Sequence, residues 1–155
     1  MNSNKPAFKL HDSLGHWVIR LSRAMQHNLS EQLAAYELNS RLLAILMSVE
    51  DADSCTPSGI ADHLLIDRAI VARTLRDLRA RNLVDFCRNE NDGRSRTLRL
   101  TDEGAARLEL GRETMRFCDT HYKQRLPPDL TDAIRQLFHQ SSAAGNRDSK
   151  RDRPE

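Results

Sequence analysis

The chain is short of several things at once. Aromatic residues make up 5% of its 155 positions, cysteines number three, and the longest apolar run is Leu42–Met47. Such a run falls far below the roughly 20 apolar residues that cross a bilayer. Met1–Lys9 carries no apolar core of the secretory kind. A cytoplasmic protein with no membrane partner is therefore expected. Cys55, Cys87 and Cys118 are widely spaced, odd in number and form no CxxC pair. That excludes a disulfide framework and a cysteine zinc knuckle, and fits a reducing compartment. His11, His16, His27, His63, His121 and His139 include no i, i+4 pair and no carboxylate cluster of zinc spacing. No metal and no cofactor are expected. The sequence also lacks a P-loop, a nucleotide-binding glycine pattern, a nucleophile elbow and an H-E-x-x-H helix, and so holds no constellation that would mark an enzyme.

Charge is plentiful, at 30% of residues, and nearly balanced, with a net +2. Its distribution is uneven. Residues 68 to 99 hold nine arginines against four acids, a local +5, and the remainder of the chain must then be acidic. Concentrated positive charge is the footprint of a phosphate-binding surface.

Apolar periodicity organises the chain as mainly helical. Leu10, Leu14, Trp17, Leu21, Met25, Leu29 and Leu33 recur three or four apart. This predicts a long amphipathic helix of roughly 25 residues, give or take a few at either end. A second, buried helix is expected from about Ser40 to Val49, followed by a polar loop. Thr56 and Pro57 form an N-cap and first-turn proline. The short helix they open has Ile60, Ala61 and Leu64 inside. Asp67 caps the next, with Val71, Leu75 and Leu78 as its core stripe, and Asn82 ends it in a left-handed turn. Val84 and Phe86 alternate with polar residues, as do Leu98 and Leu100, on either side of Asp92-Gly93, the pattern of a two-stranded hairpin. Thr101-Asp102-Glu103 begins a further helix, reaching about Arg125. Pro127-Pro128 interrupts the chain before a last helix with Leu130, Ile134, Leu137 and Phe138.

Helix, tight turn, helix and arginine-tipped hairpin make a winged helix-turn-helix, whose second helix enters the major groove of DNA. With Val71, Leu75 and Leu78 turned inward, Ala69, Ala72, Arg73 and Arg76 share the outer face. Arg73 is the candidate for a bidentate guanine contact, with methyl contacts or simply close approach left to Ala69 and Ala72. Ser58 and Arg68 stand near helix N-termini, where phosphates bind readily. Arg94 and Arg96 extend from the hairpin to enter a narrow minor groove or grip its phosphates, with Asp92 fixing the loop by pairing with an arginine or capping the turn.

The organisation resembles the MarR family of transcription regulators. The most specific parts are Pro57 to Leu64 (PSGIADHL), Ile66 to Arg73 (IDRAIVAR), the D-x-R of Asp92-Gly93-Arg94, and the L-T-x-x-G exit from Leu100 to Gly104. The resemblance implies one domain over 1–144. A winged lobe at about 40–100 would be flanked by N- and C-terminal dimerisation helices at about 8–36 and 102–144; composition, with no apolar residue from Gly145 onward, separately predicts a disordered tail at 145–155. The resemblance further implies a homodimer on a pseudo-palindromic double-stranded DNA operator, released by a small anionic, aromatic or phenolic effector. Ala72 stands where the family often has serine, Asn82 where it often has glycine, and Gly59 where a larger residue is usual.

Leu14, Ile134, Leu137 and Phe138 are the candidate dimer seam. On the first helix, His16, Trp17 and Arg20 could stack on and pair with an aromatic carboxylate. Two alternatives stand beside this reading: a thiol-based redox-responsive regulator, and a winged-helix module that binds protein rather than DNA. In the peroxide-sensing branch of the family the reactive cysteine lies on the first helix, and that helix has none here.

Overall fold

A computed structural model describes residues 8–51, 56–88 and 96–148. Among these described residues, six α-helices and one antiparallel hairpin follow in the order α1 (Leu14–Leu33), α2 (Ser40–Glu50), α3 (Pro57–Leu64), α4 (Arg68–Ala80), β1 (Val84–Arg88), β2 (Arg96–Leu100), α5 (Asp102–Lys123) and α6 (Pro128–Asp148). The strands pair Val84 with Leu100 through Arg88 with Arg96. The expected fold class, mainly helical with a small β-hairpin wing, is the one observed. The chain divides into two compact units, residues 1–115 and 116–155, and the division falls within α5.

The first helix is shorter than its apolar spacing predicts. Leu10–Asp12 forms a separate 3-10 turn, Ser13 is extended, and α1 proper begins only at Leu14. Apolar spacing continues across the break, but Ser13 ends the 3-10 segment and caps α1, its Oγ accepting the His16 N–H at 3.4 Å. The last helix departs in the other direction. It runs to Asp148, so residues 145–148, expected in the tail, are helical.

In the first unit the core is built around α2, where Leu42, Leu43, Ile45, Leu46 and Val49 are buried together with Ser48. Leu33, Leu38, Ile60, Ala61, Val71, Leu75, Leu78, Leu83, Val84, Leu98 and Leu108 complete it. The capping residues behave as their chemistry dictates. Thr56 Oγ1 accepts the Gly59 N–H at 3.1 Å, Asp67 Oδ1 accepts that of Ala69 at 2.7 Å, and Asn82 takes a left-handed φ of 57°.

The hairpin is tied back to the end of α4 by its exit sequence. Thr101 donates its N–H to the Leu83 carbonyl at 3.2 Å and its hydroxyl to the Asn82 carbonyl at 2.6 Å. Its Oγ1 also accepts the Gly104 N–H at 2.9 Å, capping α5. Gly104 is required by this closure, since a Cβ there would lie 1.9 Å from the Leu83 carbonyl oxygen. Gly111, two turns on, leaves room for Leu43 in the same way, with only 2.5 Å to its Cδ1. Arg112 pairs with Glu50 and fastens this part of α5 to the end of α2.

The terminal helices contrast with this core. Leu14, Trp17, Val18 and Leu21 of α1 are 48–68% exposed, and Leu130, Ile134, Leu137 and Phe138 of α6 are 41–64% exposed. Among the described residues no helix is long and apolar enough to cross a membrane.

Candidate nucleic-acid interface

Helix α3, the turn through Leu65 and helix α4 form the helix-turn-helix. Leu65 sits in the left-handed region at φ 53° and lets α3 stop abruptly, its N–H bonding to the Ala61 carbonyl. A leucine there is strained by contact of its Cβ with the backbone, a cost of roughly 1–2 kcal/mol. Its side chain is 89% exposed and recovers little of that cost by burial.

With Val71, Leu75 and Leu78 in the core, the outer face of α4 follows from the helical period. Ala69, Arg73 and Arg76 are exposed and Ala72 is half-buried. The arginines fall into two groups. Arg79 and Arg99 both approach Asp85, at 3.8 and 3.9 Å, and Arg79 lies over the Phe86 ring at 5.5 Å. Arg81 makes a two-point pair with Asp77, at 3.0 and 2.9 Å, and donates to the Glu37 carbonyl at 2.9 Å. Arg68 faces Asp62 at 3.6 Å across the turn. Arg73 and Arg76, by contrast, pair with no carboxylate among the described residues. Exposed ion pairs contribute about 0–1 kcal/mol each, so their effect is directional: they orient the hairpin and the end of α4.

Ser58 is exposed at the start of α3, its Oγ 3.5 Å from that of Thr56. Arg96 begins β2 opposite Arg88. Asp92 and Arg94 lie outside the described residues, as does Cys55. Sequence reading does not single out Asp85, because its value depends on strand register, which brings Arg79 and Arg99 to the same carboxylate.

A cleft of about 290 Å³ opens between the start of α2 and the outer flank of α4, lined by Asn39, Arg41, Leu42, Arg73, Thr74 and Asp77. Sequence reading also misses Arg41. The available signal is an arginine at the second position of a helix whose next six residues are all apolar.

The expected effector residues lie on α1. His16 is half-buried, Arg20 is exposed, and Trp17 donates its Nε1–H to the His11 carbonyl. Its partly exposed ring therefore has its polar edge already engaged. As for thiols, burial pushes the Cys118 pKa up, which disfavours the reactive thiolate. Cys87 is half-buried, with Sγ 3.0 Å from Thr97 Oγ1. Among the described residues no group of three His, Cys, Asp or Glu side chains could hold a metal ion.

Residues 38–95 match the sequence model of the MarR family. The chain is 24% identical over 114 residues to the HTH-type transcriptional regulator BilQ of Clostridioides difficile (strain CD3), covering 74% of this chain and 77% of that protein. Its fold is similar to a mutant MarR from E. coli complexed with operator DNA, at a TM-score of 0.73 and 22% identity over 83% of this chain and 92% of that one. It is also similar to CouR from Rhodococcus jostii RHA1 bound to p-coumaroyl-CoA, at a TM-score of 0.76 and 17% identity, covering 85% and 93%. These relatives are transcriptional regulators rather than enzymes. The stretch from α2 to the first strand of the hairpin, residues 38–95, thus matches the MarR family of transcription regulators, with α4 as the second helix of the helix-turn-helix.

Proposed function

We propose that the protein is a cytoplasmic, homodimeric repressor that reads a pseudo-palindromic operator in double-stranded DNA and is released from it by a small anionic or aromatic effector. The observation that carries the DNA reading is the division among the arginines. Arg79 and Arg99 are paired with Asp85 and Arg81 with Asp77, whereas Arg73 and Arg76, exposed on the outward face of α4, pair with no carboxylate among the described residues. Free guanidinium groups beside two alanines suit a surface that must approach base edges closely. Arg73 reads a guanine, Arg76 and Arg68 take phosphates with Ser58, and Ala69 and Ala72 allow the approach. Arg94 and Arg96 follow the minor groove, with Asp92 ordering the tip.

A second copy covers the apolar faces of α1 and α6. Leu14, Ile134, Leu137 and Phe138 are more exposed than a soluble monomer ordinarily leaves such a group. Two-fold symmetry then sets the half-sites about 10 base pairs apart. The effector reading rests on His16, Trp17 and Arg20, an aromatic ring flanked by a cation, and on the aromatic acyl group of the p-coumaroyl-CoA held by CouR.

The test is selection from random duplexes, followed by affinity measurements at several salt concentrations with and without aromatic carboxylates. Specific, salt-sensitive binding abolished by one compound supports the whole reading. If Arg20→Ala leaves that response intact, the α1 site is wrong. Arg73→Ala separates DNA recognition from a protein-binding role, since it weakens DNA binding only if such binding exists.

A further inference from the structure

We propose that Arg41 is a DNA-positioning residue: at the mouth of the cleft between α2 and α4, beside the base-reading Arg73, it holds one backbone phosphate and so sets how α4 sits in the groove. The proposal rests on the reading of α4 as a duplex-DNA helix and adds a contact from outside the helix-turn-helix and wing.

The cleft has three charged walls, Arg41, Arg73 and Asp77. The carboxylate of Asp77 is held at two points by Arg81, so its charge is largely answered from outside the cleft. Arg41 and Arg73 are both exposed and form no ion pair among the described residues. Two free cations therefore face one open space. Helix backbone contributes less here, because Asn39 Oδ1 already accepts the Leu42 N–H at 2.9 Å and Ser30 Oγ that of Ser40 at 3.0 Å. Recognition of an anion falls to the guanidinium groups, whose planar forks match a phosphate's oxygens.

Shape decides which anion. At about 290 Å³ the cleft is small, sitting at the lower limit of the cavities that enclose drug-sized ligands. Asn39, Arg41, Arg73 and Asp77, most of its lining, are exposed, so a small molecule would remain largely wet. A phosphate on a duplex needs no enclosure. It needs a cation beside the helix that enters the groove, and Arg41 is so placed, since Arg73 belongs both to that helix's outer face and to the cleft wall.

The experiment compares wild type, Arg41→Ala, Arg41→Lys and Arg73→Ala on a selected operator and on an unrelated duplex across a salt series. Arg41 is exposed, so its replacement leaves the core intact. Arg41→Ala is expected to weaken binding by about tenfold on both duplexes alike and to reduce the salt slope by about 1 per protomer. Arg41→Lys should restore the slope and part of the affinity. Arg73→Ala should additionally erode the preference for the operator. Wild-type binding with an unchanged slope in Arg41→Ala overturns the phosphate contact and leaves the DNA reading standing. Absence of wild-type binding to any duplex overturns both. A third arm titrates inorganic phosphate and benzoate without DNA: saturable binding lost in Arg41→Ala would reassign the cleft to a small anion and overturn the proposal.

Discussion

Helices α1 and α2 are both amphipathic and adjacent in the chain, yet their apolar residues meet different fates. On α2, Leu42, Leu43, Ile45, Leu46 and Val49 are enclosed by α3, α4, α5 and the hairpin. On α1, Leu14, Trp17, Val18 and Leu21 remain largely exposed, and only the end of the helix, at Leu29 and Leu33, joins that core. The winged lobe thus supplies its own interior, whereas α1 carries a face written for something else. Helix α6 shows the same incompleteness at Ile134, Leu137 and Phe138. The difference teaches that one sequence period can belong to a face buried within the chain or to one left exposed, and that only the surrounding elements tell them apart.

The most damaging way to break the enclosed side is at the wing closure. Gly104→Ala forces a Cβ against the Leu83 carbonyl, a backbone group that cannot move aside as a flexible side chain would. A loss of at least about 3 kcal/mol is expected in urea unfolding. A stability within about 1 kcal/mol of wild type would mean that the α4–α5 junction is looser than described.

The open side is broken by charge. Leu137→Asp combined with Phe138→Asp should leave the helical content of the lobe intact and halve the molar mass measured by light scattering at micromolar concentration. An unchanged mass would remove α6 from the dimer seam. The recognition face gives a smaller effect, since Arg73→Ala should cost about 1–3 kcal/mol of operator affinity and relax the preference for one base pair. The matched Arg81→Ala change serves as its contrast. It removes a structural pair with Asp77 and a bond to the Glu37 carbonyl, so it should lower stability slightly while leaving base preference unchanged. Smallest of all is a gain: Leu65→Asn should stabilise by about 0.5–1 kcal/mol in the same urea unfolding, because asparagine tolerates the left-handed conformation that leucine adopts under strain.

What can be read from the sequence follows the range of the physics involved. Thr56, Asp67 and Asn82 are legible because capping and left-handed turns are decided within three or four residues. The core stripe of α4 is legible because helical period alone turns Val71, Leu75 and Leu78 the same way. Ser13 escapes such a reading because the apolar spacing on both sides of it runs through unbroken, and the hydroxyl that starts α1 afresh leaves no trace in that spacing. The roles of Asp85 and Arg41 are out of reach for a different cause. Asp85 depends on the pairing that sets it opposite Arg99 and beside Arg79, and Arg41 depends on which flank of α4 the start of α2 approaches. The terminal apolar faces are readable as apolar, but their exposure is a matter of tertiary structure. The wing tip, with Asp92 and Arg94, lies outside the described residues.

The claim on which the rest depends is that Arg73, on the outward face of α4, reads base sequence. The most direct measurement is selection of bound duplexes from a random pool by wild type and by Arg73→Ala. Wild type should enrich an inverted repeat with half-sites about 10 base pairs apart, and Arg73→Ala should lose one defined position in each half-site while keeping the rest. Recovery of the same motif at full strength by both proteins, or of no motif by wild type, would contradict the account.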